Sequence, residues 1–381
     1  MNPHDLPQAP ASHAPQPPAL QVALIGYGGA GRIFHAPLIS GVPGLQLRCI
    51  VTRQRDAVQN DWPDVCCVTS ANAALDDPDI DLVVIATPNA SHFELAQTAL
   101  KAGKHVVVDK PCTVTLPETQ CLLDLAQAQG RMLTVFQNRR FDADFLALQQ
   151  VIQSGALGRL VEVNSHFDRY RPSVPVRWRE QALPGSGLWF DLGPHLLDQA
   201  LTLFGLPDDI SMDVAALRDG AQVNDWFHAV LRYTTRHAGL RVVLHASTLV
   251  AELGPRWAVH GTRGSFTKFG LDTQEEALKT GERPQLGHLQ HWGVDPQPGQ
   301  VRSFNTMAGV AAPVSVRRAA PNPAGTYLSF YAQLRDHLRG LTPEPPVTPK
   351  QVHAVMQLLT LGAQSAAQGR VVPVVATIGY C

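Results

Sequence analysis

Short apolar runs alternate with amphipathic segments along the first third of the chain. Each run stops at a turn-forming or polar residue, a pattern typical of strands that are buried on both faces. The predicted strands are Gln21–Ile25, Leu45–Val51, Leu82–Ala86, His105–Val108 and Met132–Phe136. Helices are predicted between them at Ser91–Ala102 and Leu116–Gly130. This βαβ order predicts a doubly wound parallel sheet.

The pattern changes after about residue 140. Leu160–Asp168 alternates apolar and polar residues with period two, as in a strand with one buried face. Further strands with short turns between them are predicted at Phe227–Thr234, Leu240–Leu249 and Trp257–His260. Short connections favour antiparallel pairing, so this half of the chain predicts an antiparallel sheet.

The remaining segments complete the predicted organisation. Proline and glycine are frequent in residues 281–325, which predicts a long irregular excursion, and Val352–Gln368 predicts a closing helix. Residues 1–20 hold too few large apolar side chains to pack a core, so they are predicted to be a disordered tail. The tail has neither a basic start nor an apolar stretch and is not interpreted as a signal peptide. Two domains are therefore predicted, at residues 21–140 and 141–381.

Composition narrows the range of partners. The formal net charge is −1 and no apolar run reaches membrane-spanning length, so neither nucleic acid nor a membrane is an expected partner. The six cysteines include no C-x-x-C pair, which predicts reduced thiols and a cytoplasmic protein.

A glycine fingerprint follows the first predicted strand directly. Residues 26–31, Gly-Tyr-Gly-Gly-Ala-Gly, match G-x-G-x-x-G, which turns the backbone tightly and lets it approach a pyrophosphate at the start of a helix. This position after a strand predicts a Rossmann-type dinucleotide-binding domain. The predicted cofactor contacts of this segment are Gly26, Tyr27, Gly28, Gly31, Arg32 and Ile33.

The end of the second predicted strand bears on the choice between NADP and NAD. An Asp or Glu is typical there in NAD-binding folds, because it bonds the ribose 2′-hydroxyl. This chain has Thr52 and Arg53 instead, and a guanidinium can bind a 2′-phosphate. NADP is therefore the predicted cofactor, while the nearby Asp56 keeps NAD as the alternative.

Two further constellations predict catalytic chemistry. Lys110 follows an apolar strand directly, and ligands of open α/β sheets bind beyond the carboxyl ends of the strands. Asp191 and His195 are four residues apart, so in a helix they share a face, where the carboxylate would orient the imidazole as a general base. A metal site with Asp198 and a merely buried histidine are the alternatives for this pair. No second histidine has ligand spacing to the group, so no metal is predicted.

Polar side chains share one face of the predicted strand at residues 160–168, namely Glu162, Asn164, His166 and Asp168. Such a face suits the hydroxyls of a polyol or sugar, and an ordinary solvent-facing surface fits the pattern equally well. His166 and Asp168 are the predicted substrate contacts, together with Asp191 and His195.

Four segments together resemble the Gfo/Idh/MocA oxidoreductase family: residues 26–31, 86–92, 102–111 and 187–195. The resemblance runs from about Gln21 to the C-terminus. It implies a Rossmann domain plus an α/β domain with a large, mostly antiparallel open sheet, and a homodimer or homotetramer. It also places a lysine, an aspartate and a histidine at the reacting carbon, which correspond to Lys110, Asp191 and His195.

The same resemblance implies cofactor contacts near the ends of the later strands, at Ala86, Thr87, Pro88, Asn89, His92, Asp109, Lys110 and Asn138. Asp109 departs from the family, which usually has glutamate there. A narrower similarity to NADP-dependent scyllo-inositol dehydrogenases extends over residues 26–37, 137–142, 177–180, 191–199 and 260–266.

These observations predict an NADP-dependent dehydrogenase or reductase for a secondary alcohol of a cyclic polyol or sugar, with scyllo-inositol as the leading substrate. One alternative is a glycoside hydrolase of the same fold with a tightly held NAD. The other is a cofactor sensor without catalysis, against which the presence of Lys110, Asp191 and His195 argues.

Overall fold

Six parallel strands form the first sheet of the computed structural model, which describes residues 17–305 and 314–375. The strands are β1 (Leu20–Ile25), β2 (Leu45–Val51), β3 (Cys66–Val68), β4 (Leu82–Ile85), β5 (His105–Val108) and β6 (Leu133–Val135). Their order is β3-β2-β1-β4-β5-β6, and every neighbouring pair is parallel. The predicted doubly wound sheet is confirmed.

Helices connect these strands and cover the sheet. They are α1 (Ala36–Ser40), which continues a π-turn at Gly31–His35, α2 (Arg55–Asp61), α3 (Ala71–Leu75), α4 (His92–Lys101) and α5 (Leu116–Ala128). The apolar pattern did not predict α2, β3 and α3, because each is short and half-exposed. A Thr115–Glu118 capping box fixes the start of α5, where both residues satisfy free backbone donors.

Nine strands form the second sheet. They are β7 (Leu160–His166), β8 (Asp209–Ala215), β9 (Trp226–Arg232), β10 (Arg241–Ser247), β11 (Trp257–Gly261), β12 (Gly264–Lys268), β13 (Gln300–Asn305), β14 (Val314–Ala319) and β15 (Val372–Pro373). Their order is β14-β13-β12-β11-β7-β10-β9-β8-β15, antiparallel except between β7 and β10. The predicted mostly antiparallel second sheet is confirmed.

One face of the second sheet is buried under helices. The helices of this half are α6 (Ala143–Gln153), α7 (Leu188–Phe204), α8 (Gln274–Lys279), α9 (Leu328–Leu338) and α10 (Pro349–Gln368). On α7, Trp189 packs edge-on against Phe227 of β9 and donates from its indole nitrogen to the backbone oxygen of Leu359 on α10. Alternate residues of β9 and β10 are half-exposed on the other face.

Three predictions need correction or fall outside the described residues. The irregular excursion at residues 281–325 contains β13 and β14, which extend the sheet at its edge. Because these edge strands bury little surface, their sequences show little apolar pattern. The closing helix starts at Pro349 rather than Val352, because Thr348 caps it. Residues 1–16 of the predicted tail lie outside the described residues. Within the described ranges no helix is long and apolar enough to cross a bilayer.

Candidate active site

The glycine turn has the geometry that the fingerprint predicts. Gly26 has φ +100°, and a Cβ there would lie 2.5 Å from the backbone oxygen of Ala86. A Cβ on Gly31 would lie 2.1 Å from the oxygen of Gly26, so the helix could not approach the strand. A Cβ on Gly28 would meet no atom within 4 Å, because Gly28 lines an open cavity. The backbone at Gly28 thus carries no side chain beside the start of a helix, as phosphate binding requires.

The cavity beside Gly28 has a volume of about 500 Å³ and extends to Trp62 and Arg283. Tyr27 and Arg32, both predicted cofactor contacts, line it while bonding Asp61: the Tyr27 hydroxyl and the Arg32 Nε each lie 2.7 Å from Asp61 Oδ2. Arg283 donates to the backbone oxygen of Asp61 and lies over the Trp62 ring. No motif or spacing singles out Asp61 in the sequence, because its partners are distant along the chain.

The turn after β2 places an arginine side chain, that of Arg53, at the surface. Arg53 is exposed, and Thr52 Oγ1 accepts from the backbone nitrogen of Gln54 at 3.2 Å. The Gln54 side chain in turn donates to the backbone oxygen of Tyr27 and lines the cavity. No carboxylate stands in this turn before Asp56, which lies in the first turn of α2.

The segment after β4 connects two strand ends. The Asn89 amide donates to the backbone oxygen of Gly185 at 2.9 Å. The ring nitrogens of the buried His92 lie 2.9 Å from the backbone oxygens of Thr87 and Pro111. His92 therefore joins the loops after β4 and β5, and Asn89 joins the first of them to the loop before α7. Both are predicted cofactor contacts, and neither lines the two cavities described here.

A second cavity of about 340 Å³ continues from the first and shares Gly29, Ile33 and Lys279 with it. It brings together Lys110 from the end of β5 and both Asp191 and His195 from α7, as the sequence predicts. Further predicted residues on its wall are Asp109 and Asn138. The two cavities together run from the turn after β2 to this cluster.

Lys110 and Asp191 form an ion pair in this cavity. Lys110 Nζ lies 3.0 Å from Asp191 Oδ1 and also donates to the backbone oxygen of Asp191. Arg179 Nε lies 3.5 Å from the same Oδ1. Burial would raise the pKa of Asp191, but the positive charges of Lys110 and Arg179 outweigh it and hold that pKa well below its usual range. Asp191 is therefore ionised.

This pairing corrects one predicted role. The spacing predicts that Asp191 orients His195, yet its carboxylate bonds Lys110, and the buried His195 Nδ1 has no hydrogen-bond partner among the described residues. Spacing along α7 predicted a shared helix face, but Lys110 arrives from the other half of the chain and competes for the carboxylate. Burial, reinforced by Lys110 and Arg139, lowers the pKa of His195 well below its ordinary value, so its imidazole is neutral at pH 7.

The predicted substrate contacts His166 and Asp168 do not line the cavity; Arg169 and Arg171 do. The strand pairing continues past β7, with the backbone nitrogens of Phe167 and Arg169 bonding His245 and Ser247. Alternate residues consequently face opposite sides, and His166 and Asp168 face away from α7. Period-two spacing identified the two faces of this strand correctly but could not tell which one faces the site.

The alternative of a metal at Asp191, His195 and Asp198 is also not supported. Arg140 binds Asp198 through two bonds of 2.6 and 2.7 Å, so both carboxylates already have cationic partners. The further residues on the cavity wall are mainly cationic: Arg139, Arg169, Arg171 and Lys279, with Glu275 bonded to Arg139 and Lys279. Arg177 and Arg179, which belong to the segment 177–180 of the narrower similarity, line it too.

Comparison with known proteins decides the family. The model of the oxidoreductase family's NAD-binding Rossmann fold matches residues 20–137, and its C-terminal α/β domain model matches residues 149–374. The chain belongs to the Gfo/Idh/MocA oxidoreductase family. As a member of this family it is an oxidoreductase of the NAD(P)-binding type, and its Rossmann domain indicates a nicotinamide cofactor.

Three similar proteins span nearly the whole of this Gfo/Idh/MocA chain. The uncharacterized oxidoreductase YdgJ of Escherichia coli is 49% identical over 348 residues, 91% of this chain and 96% of its own. The scyllo-inositol 2-dehydrogenase (NADP(+)) IolW of Bacillus subtilis is 34% identical, covering 93% and 95% of the two chains. The structure of the YPO2259 putative oxidoreductase from Yersinia pestis matches with a TM-score of 0.87 at 46% identity, covering 94% of this chain and 98% of that one.

Proposed function

We propose that this protein is an NADP(H)-dependent dehydrogenase or reductase that acts on a secondary alcohol, or the matching ketone, of a cyclic polyol or sugar. The observation that carries the proposal is the meeting of Lys110, Asp191 and His195 in a cavity continuous with the glycine turn. The Lys110 ammonium, paired with the Asp191 carboxylate, lies in the same cavity as the neutral imidazole of His195. Those groups are suited to moving a proton at an alcohol oxygen.

The residues present fit a dinucleotide cofactor. Bare backbone at Gly28 and Gly29 borders the first cavity, and Lys279 of α8 lines both cavities where they join. The glycine turn would hold the pyrophosphate, with Lys279 opposite it, and Asp109 and Asn138 would lie beside the nicotinamide. When bound, the nicotinamide ring supplies the hydride acceptor or donor.

NADP is favoured over NAD by the turn after β2. The exposed Arg53 and the neighbouring Thr52 stand where an acidic residue would select NAD. A guanidinium is suited to a 2′-phosphate, whereas a carboxylate would repel it. The relative IolW is named as an NADP(+)-dependent enzyme, which supports the same choice.

Each member of the cluster has a distinct role in the oxidation direction. His195, held neutral by burial, accepts the hydroxyl proton. The Lys110 ammonium donates a hydrogen bond to the same oxygen and stabilises its developing negative charge. Asp191 holds Lys110 in position and keeps a counter-charge in the cavity. In the reduction direction His195 returns the proton.

The substrate class rests on the family and on IolW, whose name gives scyllo-inositol as its substrate. Scyllo-inositol is accordingly the leading candidate, and a homodimer or homotetramer stays a prediction. A screen of inositols, aldoses and ketoses with NADP and NAD, followed at the reduced-nicotinamide absorbance, tests the proposal. We expect turnover of a cyclic polyol or sugar with NADP preferred. Glycoside cleavage without net cofactor reduction would favour the hydrolase instead.

A further inference from the structure

Three histidines form a row across the outer face of the second sheet, away from the active-site cavity. His245 of β10 stands directly opposite His166 of β7 on one side and His228 of β9 on the other. Their strand neighbours face the helices instead: Ser165, for example, bonds Arg256, which in turn bonds Gln199 of α7. The row is therefore separate from the site that holds Lys110 and His195.

A carboxylate lies between two of these imidazoles. Asp168 Oδ2 is 3.2 Å from His166 Nδ1, and Asp168 Oδ1 is 3.5 Å from His245 Nε2. One ligand atom from each of the three residues lies within 4.8 Å of the other two. The Asp168 side chain is only 8% exposed, and its Oδ1 is buried with no hydrogen-bond partner in the part of the chain that the structure describes.

These separations fit the coordination sphere of a small divalent ion. Bonds of about 2.0–2.2 Å in a tetrahedral zinc site place neighbouring donor atoms about 3.3–3.6 Å apart. The nitrogen–oxygen distances at Asp168 are close to this spacing, 3.2 Å from His166 to Oδ2 and 3.5 Å from His245 to Oδ1, so each imidazole faces one oxygen of the carboxylate.

We propose that His166, Asp168 and His245 bind a divalent transition-metal ion of the zinc class, with water at the fourth position. Two imidazole nitrogens and one carboxylate oxygen form a ligand set typical of Zn²⁺, which Co²⁺ and Ni²⁺ also accept. The unpartnered Oδ1 of Asp168 is the atom whose burial the ion would compensate. A bound ion would join the end of β7 to β10. Arg169, the residue directly after Asp168, lines the active-site cavity.

The test uses full-length protein without a histidine tag, stripped with a chelator and then dialysed. Co²⁺ is added while its visible absorption is recorded, and bound Zn²⁺ is counted by elemental analysis after equilibrium dialysis. We expect one ion per chain and a cobalt spectrum of tetrahedral intensity. His245→Ala and Asp168→Asn should weaken binding by about 100-fold or more, since the first removes a ligand and the second removes the negative charge of one.

His228→Ala is the matched control, because His228 stands in the same row outside the ligand set; it should keep full binding. Thermal unfolding without metal shows whether each variant is folded. If His245→Ala does not fold, His166→Gln takes its place in the test. No bound ion in the wild-type protein would overturn the proposal, with the two imidazoles then merely sharing the carboxylate. Equal binding by wild type, His245→Ala and Asp168→Asn would overturn it as well.

Discussion

The ammonium of Lys110 lies 3.0 Å from Oδ1 of Asp191, a contact between residues 81 positions apart in the chain. It joins the end of β5 in the Rossmann sheet to the first turn of α7 below the second sheet. Both side chains are mostly buried, at 11% and 21% exposure, so solvent screens the pair little. Asp191 thus positions Lys110. His195 lines the same cavity and has no bond to the Asp191 carboxylate.

Removing the charge of Asp191 should therefore disturb Lys110 first. Asp191→Asn keeps the shape of the side chain but leaves the ammonium with a neutral partner, and a charged hydrogen bond is worth about 1.5–3 kcal/mol. We expect the turnover number to fall by about 10- to 150-fold while NADP affinity stays within about threefold of wild type. Steady-state kinetics and fluorescence titration measure the two. A loss confined to NADP affinity would contradict the positioning role.

The pH dependence of catalysis follows from the buried imidazole. Because burial lowers the pKa of His195 well below its ordinary value, the base is already deprotonated throughout the neutral range in the free enzyme. We expect kcat/KM for oxidation to be level from about pH 6.5 to 8.5 and to fall only in more acidic buffer. A limb centred near pH 6.5–7.5 that His195→Ala removes would show that burial does not set this pKa.

Cofactor selection gives an independent prediction at Arg53. Arg53→Ala removes the proposed partner of the 2′-phosphate, so NADP affinity should fall by about 10- to 150-fold while NAD affinity barely changes. Fluorescence titration with both reduced cofactors measures the difference.

Lys279 provides the matched comparison, because it lines both cavities where the pyrophosphate common to the two cofactors would lie. It already pairs with Glu275 and Glu276, so its contribution is modest. Lys279→Met should weaken NADP and NAD binding by the same factor, about fivefold. Equal losses for both cofactors in Arg53→Ala would remove Arg53 from the 2′-phosphate site.

Acid should destabilise the fold through buried histidines. His35 is fully buried, its Nδ1 lies 2.6 Å from the Tyr331 hydroxyl, and burial lowers its pKa to about 4. Below pH 6.5 the unfolded chain binds a proton that the folded chain rejects, so stability present above pH 6.5 is lost as the pH falls toward 4. The share of His35 between pH 7 and 5 is about 2 kcal/mol.

Chemical unfolding of wild type and His35→Gln at pH 7 and pH 5 measures this share. The variant carries no titrating group at this position, so its free energy of unfolding should fall less between the two pH values. The comparison is of pH dependences, because the substitution itself alters stability at both. Parallel losses in the two proteins would contradict a buried, neutral His35.

Local patterns predicted much of the fold. The apolar run of β1 followed by glycines at 26, 28 and 31 specified a strand, a tight turn and a helix, since each feature depends on adjacent residues. Lys110 was predicted for the same reason, because it directly follows the strand β5. Edge strands such as β14, which bury little apolar surface, were missed.

Contacts between distant parts of the chain could not be predicted in this way. The spacing of Asp191 and His195 indicated a shared helix face, but only the packing of α7 near β5 brings Lys110 to the carboxylate. Likewise, alternation along β7 separated His166 from Arg169 without revealing which side faces α7. The side chains of the cavity wall come from both halves of the chain, so their grouping depends on tertiary structure.

Single-turnover hydride transfer directly tests whether His195 is the base and whether Lys110 assists it. Wild type, His195→Ala and Lys110→Ala are first shown to be folded and to bind NADP, then mixed with a substrate found in the screen while the reduced-nicotinamide absorbance is followed. We expect transfer in His195→Ala to be slower by about 10²–10⁴-fold, with NADP affinity nearly unchanged, and Lys110→Ala to be strongly impaired as well. Near wild-type transfer in His195→Ala across the pH range would contradict this expectation and exclude His195 as the base.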